Sequence, residues 1–422
     1  MKKQIKKLIA VLLCMTTVFS LCASANALGN GYYSEGYYEG EYNGYREARY
    51  KKTVYPFTFE VFESDAALVR IAKDVKGEIT VPATIDGVPV TEIHMNDDGS
   101  EDKIKSNRNV IKITLPDSIE LISERAFCGF ESLQEINIPN SVEYIADKTF
   151  KNCKSLKKIS LPDGLMYIGY EAFANCTSFE NFNIPSSVVS IDFSAFENTA
   201  FYNDASNWES GVLYHEDVLI SAIGISGKFS VKEGTRLITA DAFIDCDIVQ
   251  LSLPASLRYV SSDYVNAFAT LLSLERFKVS KANPYYTADR QGVLYSKDKT
   301  VLVAYPRGSV MVSYSVPEGV RYIEDCIDSE QLVQVFLPKS IEDFLPVYEA
   351  ANIYYSGTRD EYSRIPVVDS GEMDSWAEED GKLLFGGDSV ATRILIGGLL
   401  RAYDTFISNF VLFFSDLANL AV

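Results

Sequence analysis

Ile113-Thr114-Leu115-Pro116, Ile136-Asn137-Ile138-Pro139, Ile159-Ser160-Leu161-Pro162 and Phe182-Asn183-Ile184-Pro185 are four versions of one tetrapeptide, and their prolines step by 23 residues each time. A fixed period of that length marks a solenoid. Inside each unit an apolar residue follows the proline by three (Ile119, Val142, Leu165, Val188) and another by six (Ile122, Ile145, Ile168, Ile191), with phenylalanine at eleven (Phe127, Phe150, Phe173, Phe196). One such unit cannot close a core alone. Stacked units bury these columns against one another and leave the outer faces free to vary. The predicted fold class is a β-rich repeat solenoid of 23-residue units with short strands and helical turns, and function is expected on its outer faces.

Toward the N-terminus, from Pro56 to Ile93, Phe57, Phe59, Val61, Leu68, Val69, Ile71, Ile79 and Val81 alternate with polar or turn residues in the manner of strands. Pro82, Ile85 and Asp86-Gly87 read as an atypical first coil capping the open end of the solenoid. The acidic insertion Asn96 to Asp102 lacks the alternating ligands and distal glutamate of a calcium loop, so it reads as a solvated loop. Past Glu197 the count breaks. Residues 198–231 interpose a longer unit with Trp208 and Gly211-Val212-Leu213-Tyr214, after which Lys232 takes the proline place ahead of Ile238, Phe243 and Cys246. Leu251-Ser252-Leu253-Pro254 restores the signature. A second interruption, 282–316, then carries Gly292-Val293-Leu294-Tyr295, 81 residues after its counterpart. Each interruption is a strand, a polar turn and a strand, which predicts two inserted β-hairpins added to the sheet. Pro317 and Pro338 close the last coils, and Ile353 to Thr358 is expected to supply the closing strand.

The unit from Leu156 to Cys176, with its Leu-x-x-Ile-x-Leu-Pro opening and Ala-Phe-x-x-Cys ending, resembles the BspA-type leucine-rich repeat of secreted and surface proteins. The Gly-Val-Leu-Tyr hairpins, Ile85-Asp86-Gly87-Val88-Pro89-Val90 and Tyr355-Ser356-Gly357-Thr358 extend the resemblance over residues 55–365. It implies adhesion to host matrix proteins, other microbes or surfaces, and brings no fixed binding or catalytic residues with it. The chain departs from the pattern at Cys128, directly after Phe127, and at Cys326-Ile327, where Ala-Phe is expected.

The ends differ in character. Residues 1–27 combine four lysines, an apolar run from Leu8 to Leu21 and Ala25-Asn26-Ala27, the pattern of a secretory signal peptide, so a secreted, extracellular or cell-surface location is expected. Residues 28–54 are rich in Tyr, Gly and Glu and read first as a flexible spacer, with an aromatic recognition arm as the alternative. Residues 366–391 read as an acidic linker. In 392–422, Leu399, Tyr403, Phe406, Phe410, Phe413, Leu417 and Leu420 fall at alternating steps of four and three, which predicts an amphipathic helix with one apolar seam. Its longest uncharged stretch after Arg401, Thr405 to Ser415, is too short to cross a bilayer, so the seam is expected to pack on the solenoid, self-associate or lie at a membrane surface.

Composition narrows the function. Without the leader the balance is 35 basic against 58 acidic residues, or −23, which disfavours nucleic acid and anionic lipid. Cys128, Cys153, Cys176, Cys246 and Cys326 remain. With Cys-x-x-Cys spacing absent, they read as small buried hydrophobes in preference to a bridge or a zinc site, so no metal or cofactor is expected. His94 and His215 stand in separate loops, and no nucleophile elbow, phosphate loop or dinucleotide fingerprint is present, so no enzyme is expected. The binding candidates are Tyr144, Tyr167, Tyr259 and Tyr322, each five residues after the proline place. As strand neighbours of inward residues they should point outward, Tyr144 and Tyr167 as an exposed rung pair, although tyrosine also simply suits exposed strands. The expected partner is an extracellular protein, with a glycan, or an envelope scaffold role through the terminal segments, as the alternative.

Overall fold

The computed structural model of the chain describes residues 47–95, 108–261, 267–324, 327, 329, 331–344, 352–362, 365 and 383–385. The 23-residue unit forms coils that contribute to two parallel ladders. The first ladder takes the residues ahead of the proline: Gly77–Thr80, Val110–Thr114, Glu135–Asn137 and Lys158–Ser160 pair in register, with Ile79, Ile113, Ile136 and Ile159 in one buried rung. Proline ends each strand because it has no N–H for the ladder. The second ladder takes the residues five and six after the proline. Val88–Ile93 pairs with Leu121–Ile122, and Tyr144–Ile145, Tyr167–Ile168 and Ser190–Ile191 pair in sequence.

Between the ladders, equivalent side chains repeat at the strand spacing and must pack on their own kind. Phe127, Phe150, Phe173 and Phe196 form an offset stack with centroids 5.6, 5.4 and 5.7 Å apart and planes within 12°. The corners need left-handed backbone, found at Gly129, Asn152, Asn175 and Asn198, each 23 residues from the last. Asparagine tolerates that region, and here it also forms a ladder: Asn198 Nδ2 donates to Asn175 Oδ1 at 2.8 Å and Asn175 Nδ2 to Asn152 Oδ1 at 3.1 Å. The corners are turns; among the described residues the helices are the short α-helices Ala200–Asn203 and Arg359–Tyr362 and the 3-10 helix Ala205–Asn207. The four described cysteines are free, and the thiols of Cys153 and Cys176 donate to the carbonyls of Phe127 and Phe150. Cys326 lies outside the described residues.

At the N-terminus, Tyr50–Val54, Phe57–Val61 and Ala66–Ile71 form an antiparallel meander, and its last strand pairs in parallel with Val88–Ile93. The stretch read as a spacer thus ends in a strand, tied down where Asp86 accepts from the Tyr50 hydroxyl at 2.9 Å and Lys52 at 3.0 Å. At the other end Asn352–Tyr355 is followed by a further strand, Leu383–Phe385, which pairs with it from inside the stretch read as a linker. Residues 392–422, with the seam Leu399 to Leu420, lie outside the described residues, as does the leader.

The two hairpins do more than extend a sheet. Val218–Ser230 pairs antiparallel with Val212–His215 and parallel with the coil strands Leu237–Ile238 and Asp245–Leu253. Its residues alternate between two cores: Leu213, Val218 and Ile220 pack with the regular coils, Val212, Leu219 and Ala222 with the next group. In the second hairpin Val293, Tyr295 and Leu302 face the C-terminal core, while Leu294, Val301 and Val303 face the middle one. Period-two alternation with both faces apolar makes each hairpin a wall between successive core segments. Gly211 and Gly292 open these walls at positive φ, where a Cβ would sit 2.7 Å from the Ile223 carbonyl oxygen and 2.4 Å from Arg276 Cβ, respectively.

Candidate functional site

The four tyrosines do not form one exposed column. Tyr144 and Tyr167 are rung neighbours, with rings 6.5 Å apart and tilted by 47°, but both are half-buried. Tyr259 pairs with Leu237 and is only 9% exposed, while Tyr322 lies in a separate ladder between Val301 and Asp343. The expected exposure fails because the strands that carry these tyrosines are only two residues long, so the ring lies along the ladder against the next coil. There the hydroxyl finds a partner: Tyr167 donates to Asp192 Oδ2 at 2.9 Å and Tyr322 to Glu342 Oε2 at 2.9 Å.

The outward side of the first ladder is flatter, and its character changes along the chain. In the regular coils Glu78, Lys112 and Glu135 stand opposite one another with alternating charge, and Lys112 Nζ meets Glu135 Oε1 at 2.9 Å. In the middle sheet the same face carries Lys228, Gln250 and Arg276 on one rung and Ser230, Ser252 and Lys278 on the next. Lys228, Arg276 and Lys278 are exposed and make no ion pair among the described residues. In the last sheet Ser315, Phe336 and Tyr354 share a rung, and Phe336 and Tyr354 stack with centroids 4.8 Å apart at 15°. In the sequence the column two residues before each proline, Thr114, Asn137, Ser160, Asn183 and Ser252, is uniformly small and polar, and the charges lie on the neighbouring rung. Counting four residues back from each proline would have shown the charge pattern.

His215 stacks on Phe182 at 4.3 Å, meets Phe201 edge-on, and its Nε2 lies 2.9 Å from the Phe182 carbonyl oxygen. Burial pushes the imidazoles of His215 and His94 below their ordinary pKa. Among the described residues no group of three His, Cys, Asp or Glu side chains could hold a metal ion, and no helix is long and apolar enough to cross a membrane.

The family model described as BspA type leucine rich repeat region matches residues 101–206 in six copies. Among solved structures, the chain is similar to the pneumococcal vaccine antigen PcpA, at 21% identity over 73% of this chain and 70% of that one, with a TM-score of 0.31. A leucine rich cell surface protein from Faecalibacterium prausnitzii shares 19% identity over 77% of this chain and 99% of that one, with a TM-score of 0.30. The Treponema pallidum leucine rich repeat protein shares 22% over 49% and 86%, with a TM-score of 0.32. No curated protein matches the chain. Leucine-rich repeat proteins are typically non-catalytic and commonly mediate protein binding or adhesion, and the regular coils of this chain are BspA-type leucine-rich repeats.

Proposed function

We propose that the chain is a secreted or cell-surface, noncatalytic solenoid that binds an extracellular protein through its outward ladder faces. The observation that carries this reading is the contrast between equivalent outward faces of successive sheets: Lys112 and Glu135 pair in the regular coils, whereas Lys228, Arg276 and Lys278 make no ion pair among the described residues in the middle sheet. Charge of that kind, on a scaffold that cannot rearrange, steers and orients a partner. The leader-like residues 1–27 support an extracellular site of action. The tyrosines enter as supporting area, since their half-buried rings and engaged hydroxyls are already held in place.

A second reading, glycan binding toward the C-terminal end, is favoured by the stacked Phe336–Tyr354 pair beside Ser315. The seam from Leu399 to Leu420 would then position the solenoid by packing on it, by self-association or at a membrane surface. The test is immobilised leader-free protein probed with a panel of purified extracellular matrix proteins and a glycan array. Saturable binding to a protein, weakened by salt, is the expected result. Binding confined to glycans and abolished by Phe336→Ala would replace the first reading with the second, and no binding to either class would overturn both.

A further inference from the structure

Three arginines occupy the same place in their coils, four residues after the proline position: Arg236, Arg258 and Arg321. Two of them show what this place is built to hold. Arg321 takes Glu342 of the next rung with Nε to Oε1 at 2.8 Å and Nη2 to Oε2 at 2.5 Å, a two-pronged carboxylate contact. Arg236 donates from Nε to Asp217 Oδ2 of the preceding rung at 2.9 Å. In both, the carboxylate comes from a residue whose backbone is hydrogen-bonded to the arginine's own.

Arg258 breaks the pattern. Its backbone N–H donates to the Arg236 carbonyl, and its own carbonyl accepts from a tyrosine hydroxyl of the second interruption. Its guanidinium lies over the rings of Tyr259 at 4.9 Å and Tyr285 at 5.4 Å, and makes no ion pair or side-chain hydrogen bond with any described residue. The frame around it is fixed. Tyr286 donates its hydroxyl to the Arg258 carbonyl at 3.1 Å, and the fully buried Asn283 accepts from the backbone N–H groups of Tyr285 and Tyr286 while donating to the Pro254 and Leu257 carbonyls. Lys297 is held beside it, donating to the Asn283 carbonyl at 2.6 Å. A planar fork with stacked faces and unused edges presents its donors to solvent in the geometry that carboxylates fit.

We infer that Arg258, framed by Tyr259 and Tyr285 and flanked by Lys297, is a recognition site for an aspartate or glutamate side chain on an extended acidic segment of a protein partner. The occupant is a peptide carboxylate because the free edge of the guanidinium matches a carboxylate and because Asp217 and Glu342 fill the equivalent places within the chain. This inference rests on the protein-binding reading above and adds the chemistry of the contact.

The probe is fluorescein-labelled hexaglutamate amide, titrated by anisotropy into leader-free protein at about 0.15 M salt, where surface charge is screened beyond about 8 Å. Arg258→Lys keeps the charge and loses the fork and the stack, so binding should weaken about tenfold or more, while Arg321→Lys, whose guanidinium is already occupied, should leave it unchanged. Tyr285→Leu, which removes the exposed half of the frame, should weaken binding less than Arg258→Lys, and an unchanged unfolding midpoint shows that each variant is folded. Absent hexaglutamate binding, or equal binding by the wild type and Arg258→Lys, overturns the inference. Tighter Arg258-dependent binding of hexagalacturonate would also overturn it, in favour of an anionic glycan. If the matrix-protein panel still shows binding that Arg258→Lys does not alter, this site fails and the protein-binding reading stands. If the wild type binds neither hexaglutamate nor any protein of the panel, the protein-binding reading falls with the site.

Discussion

The regular coils and the hairpin-interrupted region are made from one repeat and use their side chains differently. Between Val110 and Thr199 the rings stack in register, and Lys112, Arg125, Lys148, Lys151 and Lys154 sit in ion pairs with carboxylates of their own or a neighbouring coil, with the exposed Lys157 as the exception among the described side chains. Between Trp208 and Thr300, Phe229 and Phe243 meet edge-on, Phe243 and Phe268 are 6.2 Å apart, and of the described cations Arg236 alone is ion-paired. An unbroken period places every charged residue opposite an equivalent position, so complementary rungs can satisfy each other. A hairpin wall breaks that register and leaves Arg276 and Lys278 exposed and the half-buried Arg258 without an ionic partner among the described residues. The interruption is therefore where a solenoid of this kind acquires groups with something left to bind.

The largest expected effect attacks the ordered half. Phe173 is fully buried and stacks on Phe150, Phe179 and Phe196. Phe173→Ala should destabilise the folded chain by about 3–5 kcal/mol, read as a shift in the guanidinium midpoint. Phe268→Ala in the interrupted half should cost less, because Phe268 has one loosely stacked and one edge-on neighbour. Equal losses would show that ring stacking adds nothing beyond burial, and the comparison would lose its energetic half. Next comes Gly292→Ala. The positive φ and the approach to Arg276 together should cost about 1–3 kcal/mol, more than Gly234→Ala, where φ is also positive but a Cβ meets open space.

How far these differences could be read beforehand follows from the kind of signal each one leaves. The proline step of 23 and the Ile and Phe columns are local patterns, and the parallel rungs Ile113–Ile136–Ile159 and Phe127–Phe150–Phe173 follow from them directly. The paired Gly-Val-Leu-Tyr stretches disclosed the hairpins, although not that Val293 and Leu294 would serve different cores, since alternation alone does not say that both faces are covered. The tyrosine column was legible as a column and misjudged as exposed: Asp192, which draws the Tyr167 hydroxyl inward, lies on the next coil, 25 residues away. Leu383–Phe385 was missed because three apolar residues in an acidic stretch carry no period. The vacancy at Arg258 needed the rung partners of Arg236 and Arg321, which spacing alone does not supply once a hairpin intervenes.

A smaller effect tests the boundary between the two regions, where His215 of the first hairpin packs against Phe182 of the last regular coil. Burial holds its folded-state pKa below the ordinary 6.5, so the unfolded chain binds the proton more readily than the folded one. Stability is then complete above about pH 6.5 and falls as the pH drops below that value. His215→Phe keeps the stack and removes the ionisation, so the midpoint should depend less steeply on pH between 6.5 and the start of carboxylate titration. Some slope remains, because His94 is shifted in the same direction for the same reason. An unchanged slope would mean that the boundary is wet and that the hairpin does not seal the first core.

The smallest expected effect bears on the charged rungs themselves. Lys112 and Glu135 form their pair on the outward face with 37% and 63% of their side chains exposed, so solvent screens most of the attraction. Replacing both with glutamine should leave the unfolding midpoint and the binding of any protein ligand unchanged. Replacing Arg276 and Lys278 with glutamine should also leave the midpoint alone, since neither is ion-paired, yet it should weaken ligand binding and flatten its salt dependence. The two double variants remove side chains from equivalent outward rungs of successive sheets, differing in whether the charges already answer each other. If the Lys112 and Glu135 variant lost binding as well, self-neutralised rungs would be contact surface too, and the ligand would track the whole face instead of the part that follows the first hairpin.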